Sequence, residues 1–334
     1  MKLWQIPSFG VDSLEFAERP TPLPGPGEVL VKIRAVSLNF RDLLMVKGEY
    51  NPKLKLPRIP CSDGAGEVQA VGDGVTAFKP GDRVAGIFMQ NWLEGTLTAA
   101  RARSALGGDI DGTLAEQIVL NQQGLVPIPG HLSFEEAATL PCAAVTAWNA
   151  LAAGEVKPGG TVLILGTGGV SIFALQFAKM RGARVLGVSS SDEKLERARA
   201  LGLDAGLNYK STPEWDRWAF QQTGGEGVDL VVEVGGAGTM LRSLKAVRFG
   251  GVVAQIGILA KSAEPFPAAL ILHKTIRVQG IYVGSRNDFV AMNKAIAHAQ
   301  LRPVFETLPW SETREALRRM ESGSHFGKLV LVVD

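Results

Sequence analysis

Two hydrophobic rhythms share this chain. Over residues 28–36, 66–72, 83–87 and 113–120, apolar and polar positions alternate in short runs. Turn clusters such as Pro24-Gly25-Pro26-Gly27, Asp73-Gly74 and Lys79-Pro80-Gly81-Asp82 separate them. Alternation of period two between such turns predicts half-buried strands, and several in succession predict a barrel-like all-β unit. Across residues 88–112 the periodicity lapses, which predicts a long loop.

Beyond Pro127 and Pro129 the pattern changes to alternating strand and helix. Ser133-Phe134-Glu135-Glu136 opens a helix with a serine cap and a glutamate three positions on. Val162-Leu163-Ile164-Leu165 is a continuous branched run, as a parallel strand covered on both faces requires. An amphipathic stretch then leads to a second strand over 184–188. Helices expected over 192–201, 213–222 and 239–247 alternate with strands near 205–208, 228–234 and 251–257, which predicts a doubly wound parallel sheet. Helical spacing returns at 289–298 and 312–321. A last strand over 328–333 is expected to pair back into the first unit.

Between the first parallel strand and its helix stands Gly166-Thr167-Gly168-Gly169-Val170-Ser171. A glycine turn feeding a helix N-terminus presents bare backbone N–H groups, and a pyrophosphate binds there. The complete strand–turn–helix–strand frame is what separates a dinucleotide fingerprint from an ordinary tight turn. Ser171 stands where the third glycine is usual. That position governs helix–strand packing rather than phosphate contact, so a small serine is tolerated.

The 334 residues, 46% hydrophobic and 20% charged, suffice for two domains. A net charge of +2 without like-charge blocks points away from nucleic acid and toward a small molecule. Two cysteines, Cys61 and Cys142, make no disulfide framework, and the first residues carry no apolar signal core. The expectation is a cytoplasmic protein with reduced thiols. No apolar run reaches the length of about 18 residues that spanning a bilayer needs, so no membrane partner is expected.

Several motifs in order, 24–31, Asp63-Gly64-Ala65-Gly66-Glu67-Val68, 79–84, Gly112-Thr113-Leu114-Ala115-Glu116, 140–148 and the glycine turn, resemble the medium-chain dehydrogenase/reductase superfamily over essentially the whole chain. The resemblance implies an α/β protein. A GroES-like β-barrel catalytic domain would comprise residues 1–125 and 284–334, with a Rossmann cofactor domain over 126–283 inserted within it. Where zinc-dependent members hold a catalytic metal, this chain has Asn39 and Ser62, and only Cys142 keeps its place. The 88–112 loop, where a structural zinc would sit, has no cysteine. Zinc needs about four N, S or O donors, or three and water, so no metal is expected. The chain then resembles the zinc-free quinone oxidoreductases, which keep an asparagine and a tyrosine at the positions of Asn39 and Tyr50.

An acid at the end of the second parallel strand favours NAD by binding the ribose 2′-hydroxyl. Here that strand ends Ser189-Ser190-Ser191, with Lys194 in the next helix. Ser190 with Glu193 can be read as a capping box, which leaves the missing acid unexplained. The resemblance places Lys194 and Tyr209 at a 2′-phosphate, and the expected cofactor is NADPH. It also places Thr146 near the nicotinamide, and Gly166, Gly168, Gly169, Val170 and Ser171 at the pyrophosphate. Ile256, Gly257 and Val283 would line the nicotinamide, and Lys328 would reach a phosphate or else lie solvated. Asp192 is expected to face solvent.

The reaction implied is hydride transfer to a quinone or an α,β-unsaturated carbonyl, with Asn39, Tyr50 or Arg41 stabilising the oxygen. Arg41 pairing with Asp42 is an equal alternative. Enoyl-thioester reduction of the acryloyl-CoA type, an alcohol dehydrogenase-like activity, and a non-catalytic NADPH-binding sensor or structural protein are competing readings. A homodimer through the sheet edge near 276–283 is expected by analogy.

Overall fold

The strand Glu28–Leu38 carries the first unit, because three neighbours pair with it. In this computed structural model, which describes residues 1–259 and 268–333, Asp63–Val71 runs antiparallel along one edge, with Ser37 opposite Asp63. On its other edge Gln117–Asn121 covers the first half and Lys328–Val332 the second, with Leu329 opposite Leu38. The sheet continues through Arg83–Gly86 and Leu125–Pro127 at one side and Phe305–Pro309 at the other. Wide pairing on both edges explains why the strand is buried over most of its length.

Its C-terminal end is therefore a meeting point. Leu38 and Asn39, Ser62 and Asp63, and Lys328 come from three distant parts of the sequence and share one end of the sheet. A helix that hydrophobic spacing did not announce, Phe40–Lys47, begins directly after Asn39. Gly48, at φ 74°, ends it in the left-handed conformation that glycine adopts without strain. Other elements also lay below the resolution of the pattern: the hairpin of Lys2–Gln5 with Glu15–Glu18, and the strand Phe305–Pro309, which runs parallel to the last strand.

Among its described residues the second unit holds six parallel strands in the order Ala205–Asn208, Arg184–Ser189, Thr161–Leu165, Val228–Glu233, Val247–Gln255, Arg277–Gly280. That order, with helices such as Gly169–Met180, Asp192–Ala200 and Ala237–Ala246 in the crossovers, is the doubly wound arrangement the alternation predicted. Val162, Leu163, Ile164 and Leu165 are all buried. Burial on both faces is why this strand shows no alternation.

By compactness the chain divides into Met1–Val145 with Val283–Asp334, and Thr146–Tyr282. The first unit thus runs on to Val145, where the sequence placed its end at 125. The expected serine cap is present: Ser133 Oγ accepts from Glu136 N at 3.2 Å while Glu136 Oε2 accepts from Ser133 N at 2.7 Å. Residues 88–112 are not an unanchored loop. Trp92 and Leu93 carbonyls accept from the backbone N–H groups of Arg286 and Asn287, at the start of the helix Arg286–Ala299. No helix among the described residues is long and apolar enough to cross a membrane.

Candidate active site

In the second unit, the chain leaves Leu165 through Gly166 at φ 72°, and Gly166 N–H donates to Val188 O at 2.7 Å. Gly168 then caps the helix Gly169–Met180, whose first turn includes Val170. A Cβ on Gly166 or Gly168 would meet no atom within 4 Å. The turn therefore faces open space at a helix N-terminus, which suits an anionic group. Ser171 does not face that space. It is buried, and its Oγ donates to Leu165 O at 2.6 Å, so its hydroxyl ties helix to strand.

At the end of the second strand, Ser189 is buried and Ser189 Oγ accepts from Ser191 N. The helix cap is Ser191, whose Oγ accepts from Lys194 N at 3.3 Å; the alternative Ser190–Glu193 capping box is not what the chain uses. Ser190 is consequently released from capping duty. The backbone of Tyr209 meets this strand end, its N–H donating to Ser189 O at 2.9 Å, and its side chain is 40% exposed. Asp192 is exposed, as expected, and accepts from Asn208 Nδ2 at 3.1 Å.

The fourth and fifth strands meet tightly at their C-terminal ends. Ile256 and Gly257 N–H groups both reach Glu233 O. Glu233, fully buried, holds the following turn: Oε1 accepts from Gly235 N, Gly236 N and Thr239 Oγ1, and Oε2 from Ser243 Oγ. Sequence reasoning missed this residue, although an acid ending a buried strand before Gly235-Gly236 is the signal for a carboxylate bound by backbone N–H groups. Thr146 is buried at the start of this unit. Val283 begins the return segment, buried and at φ 59°, an unusual conformation for a branched residue.

The first unit gathers a buried polar chain. Lys328, only 3% exposed, is not solvated; its Nζ donates to Leu38 O at 2.6 Å and to Asn39 Oδ1. Asn39 Nδ2 lies 3.4 Å from Ser62 Oγ, Ser62 Oγ donates to Asp63 Oδ1 at 2.6 Å, and Asp63 Oδ2 accepts from Cys142 N at 3.1 Å. Asp42 Oδ2 reaches back to accept from Asn39 N at 2.8 Å, which fixes the first turn of the helix. Burial raises the Asp42 carboxyl to about 6, opposed by Arg41 and supported by the nearby Asp63 charge. Burial likewise raises Asp63, against the pull of the Lys328 charge, and pushes the Cys61 and Cys142 thiols up. A raised thiol is the inert form of cysteine.

Arg41 is more engaged than either sequence alternative allowed. Its Nη1 donates to Leu106 O at 2.6 Å, and its guanidinium stands 4.9 Å from the Phe88 ring centre and 5.7 Å from that of Tyr50. Asp42 is 3.7 Å away, so the ion pair is the looser contact. Tyr50 is 40% exposed on this cation. Among the described residues no three His, Cys, Asp or Glu side chains are grouped so that they could hold a metal ion.

Residues 25–130 match the family model described as alcohol dehydrogenase GroES-like domain, and residues 169–298 the one described as zinc-binding dehydrogenase. A zinc-type alcohol dehydrogenase-like protein of Schizosaccharomyces pombe is 45% identical, over 97% of this chain and 96% of its own length. An acryloyl-coenzyme A reductase of Metallosphaera sedula is 30% identical over 95% of this chain and 96% of its own. Among solved structures, an NAD-dependent alcohol dehydrogenase superimposes with a TM-score of 0.92 at 36% identity, covering both chains fully. The quinone oxidoreductase from Coxiella burnetii gives 0.82 at 26% identity, covering 100% of this chain and 99% of its own.

Proposed function

The chain belongs to the medium-chain dehydrogenase/reductase superfamily and is an oxidoreductase with a nicotinamide cofactor, and from that premise we propose a zinc-independent, NADPH-dependent reductase of quinones or α,β-unsaturated carbonyls. One observation carries the reading: where zinc-dependent members of the family place their metal donors, this chain has a closed hydrogen-bonded chain, Lys328–Asn39–Ser62–Asp63. The groups there are an amide, a hydroxyl, one thiol raised by burial and the Asp63 carboxylate; the carboxylate already accepts from Ser62 Oγ and Cys142 N, and the amide oxygen already takes an ammonium. That set does not suit Zn²⁺.

When bound, the dihydronicotinamide supplies the hydride. The backbone N–H groups after Gly166 and the helix N-terminus at Gly168 hold the diphosphate. Ser190, Lys194 and Tyr209 take the 2′-phosphate, since the strand itself ends in serine rather than an acid, with Ser189 tying the strand end. Ile256, Gly257, Thr146 and Val283 remain the expected nicotinamide contacts. As hydride reaches the acceptor carbon, negative charge grows on oxygen, and Asn39 Nδ2–H donates to it. Tyr50 is the second donor. Arg41, committed to Leu106 O, supports Tyr50 through its positive charge rather than by reaching the substrate.

The acryloyl-coenzyme A reductase relative supports enoyl-thioester reduction as the second reading. NADPH and NADH oxidation measured against quinones, 2-alkenals, simple aldehydes and enoyl-CoA thioesters separates them. Turnover of quinone or alkenal with NADPH is the expected result. Preference for enoyl-CoA selects the second reading, and tight NADPH binding without turnover on any acceptor rejects both in favour of a non-catalytic binder. We also propose a homodimer through the strand Arg277–Gly280, which ends the sheet and carries exposed Leu272 and Tyr282 near it in sequence. A monomer in sedimentation equilibrium would end that proposal.

A further inference from the structure

The sequence resemblance gave Lys328 to a cofactor phosphate, yet its ammonium is bonded to two groups of the first unit. The pairing of Leu329 with Leu38 puts Lys328 beside the end of the long strand, and the side chain turns onto Leu38 O and Asn39 Oδ1. An asparagine amide has an acceptor end and a donor end of nearly the same shape, so its neighbours decide which way it faces. An ammonium only donates, so it selects the oxygen end. Ser62 makes the same choice from the other side. Its proton is given to Asp63 Oδ1 at 2.6 Å, so toward Asn39 it can only accept.

We propose that Lys328 is a positioning residue, whose ammonium orients and polarises the Asn39 amide so that its remaining Nδ2–H is the donor offered to the reacting oxygen. The inference rests on the role given to Asn39 above. A cation on the oxygen end of an amide draws electron density from its nitrogen, which strengthens the N–H as a donor. Lys328 acts wholly through Asn39 on this account, and it contributes to turnover rather than to holding NADPH.

Lys328→Met, Lys328→Arg, Asn39→Ala and the double variant Asn39→Ala/Lys328→Met separate the two roles. Expected for Lys328→Met is a fall in kcat of about tenfold or more, with the NADPH dissociation constant from fluorescence titration within about twofold of wild type. Lys328→Arg restores part of kcat, and the double variant is no slower than Asn39→Ala alone, because residues acting in one unit are not additive. A tenfold loss of NADPH affinity with kcat preserved assigns Lys328 to the phosphate and overturns the proposal. So does full additivity. If Lys328→Met does not fold, Lys328→Gln, which keeps a donor toward Oδ1 but removes the charge, tests the polarisation alone: kcat is expected to fall with NADPH affinity kept, and an unchanged kcat overturns that part of the proposal. Should wild type turn over no acceptor, the hydride-transfer reading fails by itself. The Asn39 side-chain amide ¹⁵N resonances then decide: they shift in Lys328→Met if the ammonium orients the amide, and unshifted signals reject the proposal.

Discussion

Gly257 passes so close to Val234 that a Cβ on it would lie 1.9 Å from the Val234 carbonyl oxygen. The contact is backbone on backbone, at the ends of two neighbouring strands, so no side chain can rotate away. Gly257→Ala is expected to part those ends, lowering thermal stability by about 1–3 kcal/mol and weakening NADPH binding with it. Gly168→Ala is the contrast. Open space surrounds its Cβ position, so stability should fall by at most about 1 kcal/mol, while NADPH affinity drops more than about tenfold because the methyl occupies phosphate space. Calorimetry and fluorescence titration on both variants check the pair; equal loss of stability would contradict it.

Cofactor choice is assigned to the end of the second strand. Lys194→Ala should weaken NADPH binding by about tenfold, the value of about one charge-assisted hydrogen bond, and leave NADH unchanged. Ser190→Asp should reverse the preference by repelling the 2′-phosphate and accepting from a 2′-hydroxyl. Tighter wild-type binding of NADH than NADPH would reject the assignment.

Zinc is expected to be absent from the working enzyme. Metal analysis of purified active protein should return well under one zinc per chain, and a chelator should leave the rate unchanged. Near one zinc per chain, lost together with activity, would show that Cys142 and Asp63 have found further donors.

Removal of the proposed donors should separate their roles. Asn39→Ala is expected to lower kcat by about a hundredfold, the scale of one oxyanion donor, and Tyr50→Phe by about tenfold. Steady-state kinetics with the best acceptor measures both, and an unaffected Asn39→Ala would remove Asn39 from the chemistry.

Stability should carry the mark of Asp42. Its carboxyl is raised from 3.8 to about 6 by burial. The folded state therefore holds this proton more firmly than the unfolded chain, and the stabilisation is full below about pH 4 and lost as pH rises through about 6. Asp63 is displaced in the same direction. Asp42→Asn keeps an acceptor for Asn39 N–H without the buried charge. The unfolding free energy from denaturant titration should rise for this variant at pH 7, by roughly 1–3 kcal/mol, and match wild type near pH 4. A gain confined to acidic pH would contradict the sign.

The parallel sheet was legible because its signals are local. A doubly buried strand writes its burial into four consecutive residues, Val162 to Leu165, and the glycine turn follows at once in sequence. The helix Phe40–Lys47 was not, because its cap rests on Asp42 reaching back to Asn39 N–H and its burial comes from distant partners rather than from a clear apolar stripe. The sequence offered Ser190 with Glu193 as a capping box; backbone geometry gave the duty to Ser191.

By itself the sequence determined two architectures and the place of the dinucleotide turn, since each depends on residue type within a short window, and the resemblance set Asn39 and Ser62 where zinc-dependent members hold metal donors. Only the tertiary structure decided what those two residues bond to. Lys328 stands 289 residues from Asn39 and reads as surface or phosphate ligand until strand pairing sets Leu329 against Leu38 and turns its ammonium inward. Partners of a buried charge are fixed by sheet register, and register between strands some 290 residues apart has no local signature in the chain.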